Sequence, residues 1–144
     1  MRTFVKTAIL FVMSLVAGVA CIDSAPSGPC DPIDPVLADS SFVAVVMPTA
    51  GLRTSSPLNV RGCSRTFESN VVWELLARDG RVLASGHTTG GGAMAAAAFS
   101  FSVPFAVSAP EVGHLVVFEV DASDGEGFPS GRSVVPLVLL PHPK

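Results

Sequence analysis

The chain is 144 residues long, with 49% apolar, 7% aromatic and 15% charged residues, which suffices for one ordinary domain. Nine basic and twelve acidic residues give a formal net charge of -3. Because no basic run is interleaved with aromatic residues, the composition argues against a protein that binds the phosphate backbone of nucleic acids.

The first 20 residues have the pattern of an export signal. Arg2 and Lys6 precede an apolar run from Ala8 to Ala20, as in the charged start and apolar centre of a signal peptide. This run is shorter than the roughly 20 apolar residues of a membrane-spanning helix, which leaves an uncleaved anchor as the weaker alternative. We therefore predict a cleaved signal peptide over residues 1–20 and an exported protein.

Residues 15–21 resemble the lipobox of bacterial lipoproteins, in which a cysteine becomes the acylated first residue of the mature chain. Ala20 fits the position before the cysteine, whereas Gly18 stands where a leucine is usual. Ordinary signal peptidase would also accept residues 18–20, and the product would then be secreted or periplasmic. The sequence predicts lipidation at Cys21 and anchoring to the membrane of the cell envelope through the lipid only, with plain secretion as the alternative.

The chain has three cysteines, Cys21, Cys30 and Cys63. If Cys21 carries lipid, the other two form an even pair in an oxidising compartment, which predicts a disulfide between Cys30 and Cys63. In the alternative, Cys63 is a small buried strand residue and Cys30 is free or pairs with Cys21. Because there is no CxxC motif and the histidines are scattered, we predict no metal site and no cofactor.

Residues 21–40 are predicted to form a Pro-rich linker. Four prolines are separated there by Ser, Gly and Asp, a composition that favours an extended, solvated tether. In the alternative the segment lies against the following domain, as a Cys30–Cys63 disulfide would require.

From residue 41 to residue 140, short apolar runs are broken by turn residues every eight to twelve positions, which is typical of an immunoglobulin-like β-sandwich. We predict an all-β fold of about seven strands, followed by a tail over residues 141–144. The predicted strands are 41–47, 57–63, 71–78, 81–88, 97–105, 114–121 and 132–140.

Local signals refine this prediction. Asp79-Gly80 indicates a hairpin with a two-residue type I′ turn. Pro136 lacks an amide hydrogen, so its strand is predicted to be an edge or to be bulged there. The Gly-rich residues 88–96 indicate a flexible connection. The side chains predicted to fill the core between the sheets are Trp73, Phe99, Phe101, Val103 and Phe105.

Four segments together resemble the bacterial spore germination immunoglobulin-like domain family over about residues 41–140. They are SPLNVRG at 56–62, RTFE at 65–68, DG at 79–80 and VFEVDASDG at 117–125. The resemblance implies an immunoglobulin-like sandwich on an exported protein, often beside a second domain associated with sporulation and germination. Cys63 departs from the family's small apolar residue, and Ser69-Asn70 replace its more usual Gly-containing turn.

The loop with Arg65, Phe67 and Glu68 has two interpretations. In the first, Phe67 plugs the end of the core while Glu68 accepts hydrogen bonds that hold the turn. In the second, the three residues form a recognition loop at one end of the sandwich, where immunoglobulin-like domains commonly bind.

No arrangement of nucleophile, base or phosphate-binding loop is evident, so we predict no catalytic residues and no enzyme activity. The acidic residues between 119 and 126 are interpreted as a solvated turn, because Gly125 stands where a calcium loop needs an oxygen ligand. The favoured hypothesis is an envelope module that interacts with another protein or a cell-wall component. The alternative is a carbohydrate or wall-polymer binding module, which needs Trp73 or Phe128 on the surface.

Overall fold

The computed structural model describes residues 28–121 and 130–142, which form eight strands and one short 3-10 helix, Leu37–Asp39. The described residues contain no helix that is long and apolar enough to cross a membrane. The predicted signal peptide and Cys21 lie outside the described residues. The strands are β1 (Phe42–Met47), β2 (Arg53–Thr54), β3 (Leu58–Arg65), β4 (Asn70–Leu76), β5 (Val82–Thr89), β6 (Ala97–Val103), β7 (Glu111–Phe118) and β8 (Arg132–Leu139).

The strands form two sheets, one with the order β1-β3-β6 and one with the order β2-β8-β7-β4-β5. All neighbours are antiparallel except β2 and β8, which are parallel. The predicted all-β fold is therefore confirmed, and each of the seven predicted strands is present. The additional strand β2 was not predicted, because two residues carry no alternation that a sequence pattern can reveal.

The hydrophobic core lies between the two sheets. Trp73 on β4 is only 7% exposed, and its ring stacks on Phe101 of β6 with the centroids 5.0 Å apart. The ring of Phe99 also stacks on Phe101, with the centroids 6.0 Å apart. The predicted core positions are confirmed, since alternate residues of a strand point to one face. Phe101 is partly buried and packs against the core. Besides Trp73 and Phe99, the buried members of the core are Val43, Leu58, Val60, Val71, Leu75, Val103, Phe105, Leu115, Val117, Val135, Leu137 and Leu139.

The hairpin between β4 and β5 has a different turn from the predicted one. The amide of Ala77 donates to the carbonyl of Arg81 at 2.8 Å, and the carbonyl of Ala77 accepts from the amide of Gly80 at 3.0 Å. Gly80 has a φ of +86°, whereas Asp79 is not among the residues with positive φ. A type I′ turn needs positive φ at both central residues. The connection is therefore a three-residue loop over residues 78–80. Within it, the Asp79 carboxylate accepts a hydrogen bond from the Arg81 amide.

Pro136 lies where β8 has a strand on one side only. On the β7 side it is paired with His114. On the other side β2 pairs with Val138 and Leu139 only, and the Pro136 carbonyl accepts a hydrogen bond from the Gly51 amide at 2.8 Å. The prediction of a local edge is confirmed, because no strand here requires an amide hydrogen from the proline.

The edge of β1 is covered by a side chain of the opposite sheet. The Ser133 hydroxyl of β8 donates to the Val43 carbonyl at 2.8 Å and accepts from the Val45 amide at 3.4 Å. The strands β5 and β6 end their sheets on the other side of the sandwich. Between these two edges, the Thr88 hydroxyl donates to the Ser100 carbonyl at 3.4 Å.

The described part of the predicted linker, residues 28–40, is not an extended spacer. We call it the N-terminal arm. It forms consecutive turns, with hydrogen bonds from Ile33 to the Cys30 carbonyl and from Leu37 to the Asp34 carbonyl. A disulfide joins Cys30 to Cys63, with the Cα atoms 5.0 Å apart. Since this bond fastens the arm to β3, the expectation of an extended tether over these residues was wrong.

The Gly-rich crossover from β5 to β6 is also more tightly bound than predicted. The Gly91 carbonyl accepts from both the amide and the hydroxyl of Thr66, and its amide donates to the Ser64 hydroxyl. A β-carbon on Gly91 would lie 2.2 Å from the Ser64 carbonyl oxygen and 2.3 Å from the Ala97 amide nitrogen. Gly91 is therefore needed for a close contact between backbones. The prediction that this segment is a flexible connection was wrong at this position.

Candidate functional site

The loop between β3 and β4 lies at one end of the sandwich and presents Phe67 and Glu68 to solvent. Phe67 is 75% exposed, whereas the preceding Thr66 is 1% exposed. The first interpretation of this loop, in which Phe67 plugs the core, was therefore wrong. The even-numbered positions of β3, at 58, 60, 62 and 64, are buried, and Thr66 continues this series. Cys63 is buried as well, but it is bonded to Cys30 of the arm and lies outside the core cluster. Extending the period-two pattern by one residue would have placed Phe67 outside.

Glu119, which follows β7, holds this loop in place. One of its carboxylate oxygens accepts a hydrogen bond from the Phe67 amide and the other from the Ser41 hydroxyl, both at 2.5 Å. The same hydroxyl is 3.2 Å from the Arg65 carbonyl. One carboxylate thus joins the loop to the start of β1. The first interpretation of the loop gave this role to Glu68, whereas Glu119 fills it.

Arg65, the last residue of β3, joins two other segments to the same end. Its Nη2 and Nε atoms donate to the Ala93 carbonyl of the β5–β6 crossover at 2.8 and 3.2 Å. Its Nη1 atom lies 3.9 Å from the Asp39 carboxylate of the N-terminal arm, which is 99% exposed. An ion pair as exposed as this one adds little stability, so the main effect of Arg65 is to position the crossover.

The turn itself depends on Ser69, which has a φ of +59°. This conformation favours glycine, so Ser69 occupies the geometry that the family's Gly-containing turn would supply. The Ser69 carbonyl accepts a hydrogen bond from the Gly90 amide at 2.9 Å. Contacts with the crossover thus stabilise a backbone conformation that serine seldom adopts.

A small surface depression adjoins this loop, lined by Phe67, Glu68, Asn70, Glu119 and Val120. Its two carboxylates are accompanied by no histidine or cysteine. Within residues 28–121 and 130–142, no three His, Cys, Asp or Glu side chains are grouped so that they could hold a metal ion. The arrangement offers apolar contact and hydrogen-bond acceptors, which are properties of a binding surface.

We expect the substitution Glu119→Gln to lower the free energy of unfolding by about 1 kcal/mol, because one of its two charge-assisted hydrogen bonds is lost. Urea denaturation followed by Trp73 fluorescence measures the change. The matched control is Glu68→Gln, an exposed acid of the same loop, with an expected change below about 0.5 kcal/mol. Equal losses in the two variants would contradict the role assigned to Glu119.

The two-sheet sandwich and the order of its motifs agree with one family. A family model for the immunoglobulin-like domain of bacterial spore germination, Gmad2, matches residues 42–126, which is more than half of the chain. The chain belongs to this family. A search of curated protein sequences gave no match. The Gmad2 match ends before β8, although β8 pairs with β7 along its whole length.

In this Gmad2 domain, the structure brings the three predicted loop residues to one end of the sandwich. Arg65 is partly buried, and Phe67 and Glu68 are exposed. Cys63, at the position where the resemblance led us to expect a small apolar residue, is fully buried and bonded to Cys30. Trp73 is buried in the core, so it provides no platform for stacking on a sugar. Phe128, the other candidate for that role, lies outside the described residues.

Proposed function

We propose that the protein is an exported, lipid-anchored and non-enzymatic envelope module that binds another envelope protein or a wall component. The main support is the packing of the Gmad2 sandwich. Side chains fill the core between the two sheets, so a partner would bind to the outer surface of the domain. Membership in a family named for spore germination supports a role in that process.

The cysteine usage supports export and lipidation. The pairing of Cys30 with Cys63 fits an oxidising compartment outside the cytoplasm. It also leaves Cys21 as the single remaining cysteine, directly after the predicted signal peptide. A cysteine at that position, with no partner among the other two, fits an acylated first residue.

The β5 and β6 edges are the surfaces best suited to a partner. Edge strands usually avoid further pairing by means of charged residues or prolines. Neither β5 (Val82–Thr89) nor β6 (Ala97–Val103) contains an acidic residue, a lysine, an arginine or a proline. The β1 edge is covered by two hydrogen bonds of Ser133, whereas the Thr88 hydroxyl of β5 occupies one carbonyl of β6, that of Ser100, at 3.4 Å. We propose that a partner adds an extended segment along β5 or β6, with main-chain hydrogen bonds providing affinity.

The proposal is tested in cells that process the leader, with a photoreactive phenylalanine analogue in place of His87, an exposed residue of β5. After irradiation we expect a covalent adduct of defined mass in the membrane fraction. The matched control carries the analogue at Val134, which is 53% exposed and lies on β8, away from both edges. We expect no adduct there.

The substitution Cys21→Ala in the same background tests the anchor. We expect the protein to leave the membrane fraction or to accumulate with its leader uncleaved. Mass spectrometry of the parent should find an acylated amino-terminal peptide that begins at Cys21. A mature chain beginning after residue 21 would contradict lipidation, and equal adducts from positions 87 and 134 would contradict binding at the edge.

A further inference from the structure

The most exposed of the large apolar side chains lie close together on the described surface, whereas others, such as Val82 and Val134 at 50% and 53% exposure, lie elsewhere. The three most exposed are Met94 at 94%, Val36 at 82% and Phe67 at 75%. All three belong to the end of the sandwich where the N-terminal arm enters. With Leu37 at 51% and Val120 at 56% exposure, they form what we call the apolar end.

Contacts among the segments show that these residues share one end. Phe67 and Val120 line the same depression. The Arg65 guanidinium donates to the carbonyl of Ala93, next to Met94, and lies 3.9 Å from Asp39 in the helix that includes Leu37. The apolar side chains therefore come from the arm, the β3–β4 loop, the β5–β6 crossover and the segment after β7.

The disulfide brings the apolar end within reach of Cys21. Cys30 follows Cys21 by nine positions in the sequence, so the two Cα atoms are at most about 32 Å apart even in a fully extended chain. Phe67 follows Cys63 by four residues, which keeps its backbone within about 14 Å of the disulfide. The β4–β5 turn lies at the far end of β4, about 23 Å further away.

We propose that the apolar end rests on the bilayer that holds the lipid anchor, with the side chains of Phe67, Met94 and Val36 in its interfacial layer. This inference depends on the proposed function, because the acyl chain at Cys21 provides the proximity. A lipid anchor pulls the nearest end of the domain toward the membrane. Apolar side chains at that end then add burial to the affinity of the acyl chains.

The shape and charge of the apolar end favour zwitterionic phospholipid over a protein partner. Three side chains that are 75–94% exposed stand on separate segments, and a fluid bilayer accepts separate protrusions, whereas a protein needs a matching pocket for each. The exposed acids Asp39 and Glu68 oppose attraction to anionic headgroups. The loop with Phe67 would thus recognise lipid, which leaves the β5 and β6 edges free for the partner.

Fluorescence quenching in vesicles tests this arrangement. The lipoprotein is purified from membranes in detergent and reconstituted in phosphatidylcholine vesicles with acyl chains brominated near the headgroup. The parent has one tryptophan, which is buried, so Phe67→Trp adds an indole at the apolar end. We expect brominated lipid to remove about half of the added emission, as for a group at interfacial depth. The control is Val82→Trp at the start of β5, next to the β4–β5 turn at the opposite end of the domain; brominated lipid should not reduce its added emission. Met94→Trp provides a second variant at the apolar end.

Each outcome separates the two proposals. Quenching of F67W and M94W but not of V82W supports the inference. Unquenched F67W and M94W on a chain whose Cys21 peptide carries acyl groups would overturn the inference and leave the anchor intact. An unmodified Cys21 peptide would overturn the anchor and, with it, this inference. Unquenched emission together with a dimer in sedimentation would overturn it in favour of a second copy of the chain.

Discussion

Replacement of Trp73 by alanine is expected to lower the free energy of unfolding by about 4 kcal/mol, because it removes the largest side chain of the core. The indole stacks on Phe101 across the sandwich with the centroids 5.0 Å apart. It also covers Gly86, where a β-carbon would lie 2.5 Å from the Trp73 Cζ2 atom. Neither sheet can move inward far enough to fill the space that the indole leaves.

The effect is measured by urea denaturation followed by circular dichroism. The matched control is Phe67→Ala, the loss of an exposed aromatic ring, with an expected change below about 0.5 kcal/mol. The variant Trp73→Phe should lose less than the alanine variant, because the buried Nε1 atom has no hydrogen-bond partner among the described residues. If W73A were as stable as the parent, the indole would not be a core residue.

Removal of the Cys30–Cys63 disulfide is expected to cost about 4 kcal/mol. The bond closes a loop with a sequence separation of 33 residues, and a crosslink of this span restricts the unfolded chain by about that amount. The double substitution Cys30→Ala with Cys63→Ala avoids a free buried thiol. Urea denaturation of the oxidised parent and of the double variant measures the difference.

The control for the disulfide is Val36→Ala, which trims an exposed side chain of the same arm and leaves the bridge intact, so the midpoint of denaturation should stay unchanged. Limited proteolysis adds a local measurement. Once released from β3, the N-terminal arm should be cleaved within residues 28–40 before the sandwich is. If the double variant unfolded at the same urea concentration as the parent, the bridge would not contribute to the stability of the domain.

The strands were predictable from the sequence because burial repeats every second residue in a sandwich. On β4, Val71, Trp73 and Leu75 are buried and their neighbours less so, and β6 repeats the pattern around Phe99. The motifs that carry the family resemblance lie on or beside these strands. Fold class, core aromatic residues and the family were therefore accessible without coordinates.

The candidate site was less predictable, since its contacts join residues that are far apart in the sequence. Glu119 meets Phe67 across 52 positions and Ser41 across 78, and no local pattern indicates which acid holds the loop. One interpretation of the sequence gave this role to Glu68, an acid of the loop itself. The exposure of Phe67 was accessible in principle, from the alternation that runs through β3 to Thr66.

The sequence by itself determined that the chain alternates apolar and polar residues over strands, and its first residues and cysteines predict export. The tertiary structure decided which exposed side chains from separate segments, such as Phe67, Met94 and Val36, lie at the same end of the domain. Alternation is a property of neighbouring residues, so it specifies strands and their buried faces. The meeting of the arm, the crossover and the loop at one end depends on long-range packing, a disulfide and the carboxylate of Glu119.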